Sequence, residues 1–349
     1  MSEIFLEACW GKPVDTIPVW FMRQAGRSLP GYRELRKKYD VLTLAHTPEL
    51  AAQVSLEPID RLGVDAAILF ADIMLLPIAM GIDVKIVDSI GPVIDEPIQK
   101  DEDLVKLRPF QKESIDYLAQ TIKILRGELK VPLIGFSGAP FTLASYLMEG
   151  KPTRTWTKTK RCMYENPAMW DRLMTILSDA IIGYLSVQID AGAQAVQLFD
   201  SWVGCLSPAD YRAQVLPHMQ KIFAGLADRG VPRIHFATNT AGFLSDFANV
   251  DCEVIGVDWR IDLAAAKDIV GKKSLQGNLD PTILLADWPT IQRHVDALLS
   301  GETVSPERRN SFSAHFSARN GYIFNLGHGV LPETDDTVVK RLVEYIHSK

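Results

Sequence analysis

Eight short runs rich in aliphatic, aromatic and β-branched residues recur along the chain, and their spacing constrains the fold more than any other feature. They are IPVWFM (17–22), AAILF (66–70), VPLIGF (131–136), AVQLFD (195–200), RIHF (233–236), EVIGVD (253–258), SLQGN (274–278) and GYIFN (321–325). Most are separated by stretches with apolar residues at helical spacing, such as 48–62, 169–191 and 208–229. Runs that are continuously apolar suit strands buried on both faces, and strands alternating with helices call for a parallel sheet joined by right-handed crossovers. Eight such units predict a (β/α)8 TIM-type barrel, with residues 1–349 forming a single domain. A doubly wound open sheet would share the rhythm, but no GxGxxG follows the first run and eight units fit closure better. The pattern departs from the repeat between residues 71 and 130. There DVKIVDSIGPVIDEP predicts a β-hairpin excursion around Gly91, after the second strand and before a helix over 114–128.

Charge narrows the possible partners. A formal net charge of −6, from 37 basic and 43 acidic residues, argues against a nucleic-acid binder, which needs a basic excess for phosphate contacts. Yet residues 21–40 hold six bases (Arg23, Arg27, Arg33, Arg36, Lys37, Lys38) against Glu34 and Asp40, so a local anion site is expected. Cys9, Cys162, Cys205 and Cys252 are widely spaced without a CxxC, which indicates neither a zinc site nor a disulfide framework and leaves a reducing, cytoplasmic setting as the expectation. The segment MSEIFLEACWGK has no basic leader, and the apolar region around 66–80 is interrupted by Asp72, so no targeting or membrane-spanning segment is expected.

The unusual polar residues fall at or just after the predicted strand ends, the face on which barrels build their sites. RQAGR follows the first strand, Asp72 the second, SGAPFTLASY the third, DS (200–201) the fourth and NLGHG the eighth. Arg23 and Arg27, four residues apart around Ala25 and Gly26, offer two planar guanidinium forks to a carboxylate or phosphate; no Walker-type loop accompanies them to favour phosphate. Asp72, bracketed by apolar residues in LFADIMLLPIAMG, either pairs with an arginine or faces a cavity where it accepts N–H donors or stabilises a developing cation. Tyr146 is either a core tyrosine or a cleft residue. Ser201 lacks the GxSxG setting of a nucleophile and reads as a hydrogen-bonding group. His328, between Gly327 and Gly329, has room to meet a ligand, whereas His218 and His294 fall on predicted helices as surface or packing residues.

Taken in order, FMRQAGRSLPGYRELR, LFADIMLLPIAMG, GFSGAPFTLASYLMEG, LFDSWVGCLSP, QGNLDP and FNLGHGV resemble the uroporphyrinogen decarboxylase family of haem biosynthesis, nearly end to end. The resemblance implies a cytosolic, cofactor-free (β/α)8 enzyme, usually a homodimer; the charge, cysteine and hydropathy readings above add the expectation of no metal, nucleic-acid or membrane partner. Such an enzyme would convert the anionic tetrapyrrole uroporphyrinogen to coproporphyrinogen by removing carbon dioxide from four acetate side chains. By the same resemblance Arg23, Gln24, Ala25, Gly26 and Arg27 form a substrate-binding loop, Asp72 receives the central pyrrole N–H groups, and Tyr146, Ser201 and His328 contact the substrate periphery. Asp72 and Arg23 would be catalytic, Arg23 as a candidate proton relay. Two other readings stand beside this one. Corrinoid- or zinc-dependent methyltransferases share the superfamily but would carry His-x-Cys ligands, whereas His235 is followed by Phe236 and Ala237. A non-catalytic tetrapyrrole carrier would need the carboxylate clamps more than the central Asp72.

Overall fold

The computed structural model describes residues 3–87, 90–300 and 318–349. Its strands are β1 (Ala67–Ile68), β2 (Lys85–Val87), β3 (Gly91–Val93), β4 (Leu133–Gly138), β5 (Ala195–Asp200), β6 (Arg233–Ala237), β7 (Val254–Gly256), β8 (Ser274–Leu279) and β9 (Tyr322–Leu326). Seven form one parallel sheet in the order β1-β4-β5-β6-β7-β8-β9. Each neighbour follows the last in sequence apart from the separate β2–β3 pair, so the chain steps one strand at a time through helical crossovers.

The sheet curls. Gln276 on β8 donates from Nε2 to Gln197 Oε1 on β5 at 2.9 Å, and Trp20 Nε1 donates to Gln276 Oε1 at 2.9 Å. In a flat sheet β5 and β8 would stand roughly 14 Å apart, with their side chains perpendicular to it and unable to meet. Their contact therefore requires inward-facing residues to converge on a common interior. Alternation agrees: Ile134, Phe136, Ile234, Phe236, Val254 and Ile323 pack together on the inner face, with Trp20 and Met22. The residues between them, such as Leu133, Ile255 and Phe324, join the layer shared with the helices. The helix Ile4–Cys9 contributes Phe5, Ala8 and Cys9 to the inner cluster, and Ser274 Oγ on β8 donates to the Ala8 carbonyl at 2.8 Å.

The run 17–22, expected as the first strand, makes an isolated parallel bridge, Val19 to Phe324, in place of a ladder. It nevertheless lies between the two edges of the sheet. Trp20 N donates to the Phe324 carbonyl at 3.3 Å and Phe324 N to the Pro18 carbonyl at 2.9 Å, while Asp65 N, just before β1, donates to the Val19 carbonyl at 2.8 Å. Two features keep it from being a regular strand. Pro18 has no N–H to donate, and the N–H groups of Val19 and Met22 are taken by side chains, Asp65 Oδ2 at 2.8 Å and Asn325 Oδ1 at 3.2 Å.

Between β1 and β4, Lys85–Val87 pairs antiparallel with Gly91–Val93, with Ile86 opposite Pro92. Among the described residues one helix, Pro167–Ala191, is long and apolar enough to cross a membrane by length and composition alone. Half of its most apolar window is buried, and it packs against the helices Asp116–Glu128, Pro140–Glu149 and Leu216–Gly225 and against β4. A helix enclosed on several sides by protein carries apolar residues around most of its circumference, which accounts for its composition.

Candidate active site

The carboxyl ends of the strands open into a cleft of about 1010 Å³, its mouth included. Arg23, Ala25, Asp72, Tyr146, Ser201 and His328 line it, together with Met22, Ile68, Leu69, Phe70, Ala71, Ile73, Pro92, Phe136, Phe199, Phe236 and Gly329. Six residues singled out from the sequence thus share one cavity, although 305 positions separate the first from the last. Gln24, Gly26 and Arg27 do not line it.

Gln24 explains how the first loop is built. Its side chain is buried, accepting from Phe21 N at 2.9 Å through Oε1 and donating from Nε2 to the Ala66 carbonyl at 2.9 Å. This ties the loop to the residue before β1 and turns the chain so sharply that Arg23 adopts φ +63, a left-handed conformation uncommon outside glycine. Arg23 then passes over Gly329, where any Cβ would collide with its side chain. Gly327 is likewise tight, since a Cβ there would meet Trp259 at 2.7 Å. The two glycines flanking His328 therefore admit their neighbours, Arg23 and Trp259. Most of the other bases in 21–40 serve structure or stay in solvent. Arg33 donates to the carbonyls of Arg27 (3.2 Å) and Ser28 (2.7 Å), Arg36 to that of Tyr39 (2.7 Å), and Lys37 pairs with Glu34 at 2.5 Å. Arg27 is exposed beside the cleft.

Asp72 follows β1 on a turn that it caps itself: Met74 N donates to Oδ1 at 2.8 Å and Leu75 N to its carbonyl at 3.1 Å. Burial raises its pKa, opposed by the Met74 N–H and the Arg23 charge. Part of Arg23 is open to solvent, yet desolvation by the cleft around it lowers its pKa, while Tyr146 and Asp72 act in the other direction. Burial, with the Asp72 charge adding to it, pushes the Tyr146 hydroxyl up to about 12, and burial and Arg23 bring His328 down to about 4. Near pH 7 the lining therefore offers a neutral phenol and a neutral imidazole beside the Arg23 guanidinium and the Asp72 carboxyl group.

The apolar floor went unnoticed in the sequence. Phe136, Phe199 and Phe236 stand edge to face, with centroids 5.4 and 5.9 Å apart. The available signal was an aromatic near the end of three successive strands, each at an inward position of the alternation. Tyr146, one turn into the helix Pro140–Glu149 from Thr142, stacks on Trp202 at 4.0 Å and 25°. Thr142 holds both partners: Trp202 N donates to its Oγ1 at 3.3 Å, and Oγ1–H donates to Asp200 Oδ1 at 2.8 Å. Asp200 is fully buried, its Oδ2 has no hydrogen-bond partner among the described residues, and burial pushes its pKa to about 7.

His235 sits outside the cleft. It is wholly buried on β6, stacked on Phe247 at 3.7 Å, and burial drives its pKa to about 3. Among the described residues no group of three or more His, Cys, Asp or Glu side chains is arranged to hold a metal ion. His218 is buried, within 3.5 Å of Asp171, and so is a packing residue.

Fold and cleft together define a class: an α/β protein of TIM-like barrel type, with its site at the carboxyl ends of the strands. The sequence profile described as Uroporphyrinogen decarboxylase (URO-D) matches residues 1–349. A protein of Salinispora tropica named uroporphyrinogen decarboxylase is 48% identical over 345 residues, covering 98% of this chain and 89% of that one. One of Bacillus thuringiensis with the same name is 46% identical over 349 residues, covering 99% and 96%. The chain belongs to the uroporphyrinogen decarboxylase family. Among solved structures it is similar to a methyltransferase from Methanosarcina mazei, with TM-score 0.78, 20% identity and coverage of 99% and 97%. A B12-independent methionine synthase from Shewanella aligns with TM-score 0.54 and 9% identity over 86% and 88%. These two likenesses concern the fold alone.

Proposed function

We propose that this protein is a uroporphyrinogen decarboxylase, removing four acetate carboxyl groups from uroporphyrinogen III to give coproporphyrinogen III and carbon dioxide in haem biosynthesis. The observation that carries the reading is Asp72, a carboxylate placed with Arg23 in a cleft otherwise floored by phenylalanines. A tetrapyrrole presents apolar ring faces to such a floor, a ring of N–H donors at its centre to Asp72, and carboxylates at its edge to arginine.

In this reading the substrate supplies its own electron sink. A proton adds to a pyrrole carbon beside the acetate-bearing position; the bond from the methylene to the carboxylate breaks, and its electron pair enters the ring system as carbon dioxide leaves. A proton added to the methylene completes a methyl group, and the ring returns the first proton, so each turn consumes one proton and one carboxylate. No cofactor is required by this chemistry. Asp72, ionised by the converging pyrrole N–H groups, stabilises the positive ring as it forms. Arg23 holds carboxylates that are not reacting, because tight pairing with the departing one would stabilise the ground state and be lost as carbon dioxide forms. Arg23 is the candidate for a proton relay because it lines the cleft together with Asp72 and Tyr146. Ala25 and the backbone of the Gln24–Gly26 turn border the ligand, Arg27 adds positive field at the mouth, and Tyr146, Ser201 and His328 bound the substrate edge.

The finer architecture belongs to the same proposal: a closed (β/α)8 barrel in which 17–22 fills the position between β9 and β1, the β2–β3 pair an excursion beside the mouth, and residues 1–349 one domain. A cytoplasmic homodimer that binds neither nucleic acid nor membrane completes it. The test is anaerobic incubation of chelator-treated protein with uroporphyrinogen III, followed by separation of the oxidised porphyrins by carboxylate number. The seven- to four-carboxylate series supports the assignment. Persistence of the eight-carboxylate species alone, with substrate bound, overturns it in favour of a carrier.

A further inference from the structure

Among the described residues the cleft lining carries one permanent cation, Arg23, against a ligand that brings eight carboxylates in the decarboxylase reading. The lining therefore leaves most of the ligand's charge unmatched, so exposed cations at the rim, Arg27 among them, are the groups available to pair it. Residues 151–161, KPTRTWTKTKR, contain five bases and no acid in a chain whose net charge is −6.

This segment borders the cleft at two places. Pro152 Cγ lies 3.3 Å from where a Cβ on Gly91 would stand, next to Pro92 in the cleft wall. Four residues on, Trp156 packs edge-on against Trp202 with centroids 6.0 Å apart, and Trp202 stacks on Tyr146, itself part of the lining. The loop is shaped by Thr153, whose Oγ1 accepts from Thr155 N (3.2 Å) and Trp156 N (3.4 Å), and by a left-handed Trp156 at φ +49. Glu149 anchors its far side, accepting from Thr159 N and Oγ1 at 2.9 Å each. Three of the five bases are committed: Lys160 to the Cys205 carbonyl at 2.6 Å, Lys158 to the Glu149 carbonyl at 3.5 Å, and Arg161 to Glu165 at 2.7 Å. Lys151 and Arg154 are exposed and make no hydrogen bond or ion pair with any described residue.

We propose that residues 151–156 form a peripheral subsite for substrate carboxylates, with Lys151 and Arg154 pairing those that project beyond the cleft. The inference rests on the decarboxylase reading and adds a selectivity to it. The ligand loses four negative charges on becoming product, so a rim of uncommitted cations holds the substrate more strongly than the product and releases the latter. Exposed pairs of this kind change affinity by a factor of about 1.4 to 5 each and are screened by salt.

The test compares the wild type with the Lys151→Ala/Arg154→Ala double variant and with Arg154→Glu, using uroporphyrinogen III as substrate and coproporphyrinogen III as inhibitor at low and physiological salt. The double variant should raise KM about three- to ten-fold at low salt with kcat within about two-fold. The effect should shrink with salt and be smaller on the inhibition constant of the product, and Arg154→Glu should raise KM further. Lys340→Ala, on the C-terminal helix, should change nothing. An unchanged KM in both loop variants, or a loss confined to kcat, overturns the subsite. Binding of oxidised uroporphyrin, read by quenching of tryptophan fluorescence, separates the two levels of inference. An unchanged dissociation constant in the variants sinks the subsite, whereas a weakened one alongside a wild type that turns nothing over sinks the decarboxylase reading alone.

Discussion

Asp72 is poised for a ligand to complete its environment. With only the Met74 N–H and a nearby Arg23 charge in its favour, burial still raises its pKa; a ring of pyrrole N–H donors would reverse that balance at the moment of binding. Asp72→Asn keeps size and one acceptor but removes the charge, so turnover should fall by about 10²- to 10³-fold with a smaller change in KM, measured by porphyrin chromatography against substrate concentration. Near-normal kcat in this variant would remove Asp72 from the mechanism. Asp200 makes a different prediction, on stability. Its folded-state pKa of about 7 stands above the ordinary 3.8, so between those values the folded protein binds more protons than the unfolded chain. The stabilisation from burying it neutral is complete below about pH 4 and is lost as pH rises through 7. In Asp200→Asn that dependence disappears. Relative to the variant, the wild type should lose up to about 4 kcal/mol between pH 4 and pH 8 in urea titrations, and parallel stability profiles would show that Asp200 is not buried as described.

At the scale of elements, the end of β5 and the start of the helix Pro140–Glu149 work as one unit, joined through the Thr142 hydroxyl. That hydroxyl donates to Asp200 and accepts from Trp202 N, so its orientation is determined, and it positions the Tyr146–Trp202 stack on the cleft wall. Thr142→Val leaves Asp200 Oδ1 and Trp202 N–H without their partner in a buried place. It should destabilise the protein by about 1–3 kcal/mol in urea unfolding and raise KM more than it lowers kcat. Equal stability with an unchanged KM would separate this unit from substrate binding. The elements themselves were legible to differing degrees. The helix expected over 48–62 has those bounds, and seven of the eight runs appear as strands of one parallel sheet, because burial on both faces writes itself into consecutive apolar residues. The helical stretch 208–229 instead breaks at Val215 into Pro208–Gln214 and Leu216–Gly225, with Pro217 at the start of the second, where a missing N–H does no harm.

Across the whole molecule, a net charge of −6 coexists with a cleft that carries Arg23 in its lining and Arg27 beside it. A polyanionic substrate is then attracted locally against the sign of the protein, and such attraction is screened over about 8 Å at physiological ionic strength. KM for uroporphyrinogen should rise between 20 and 300 mM salt while kcat stays level; a KM that is flat or falls over that range would show that apolar contact with the phenylalanine floor dominates binding. What the sequence alone determined is the strand–helix rhythm, the parallel sheet it builds and the positions of Arg23, Asp72, Ser201 and His328 just after strand-forming runs, since periodicity and strand ends are local properties of the chain; Tyr146 comes from the helix that follows β4. Which of those residues meet was decided by curling, which brings β5 and β8 side chains to 2.9 Å and gathers six expected residues into one cavity. The same packing turned Gln24 inward to brace its own loop, made a floor from three phenylalanines on neighbouring strands and gave Asp200 a pKa near 7. Orientation, convergence and desolvation depend on neighbours remote in the chain, and no window of adjacent residues contains them.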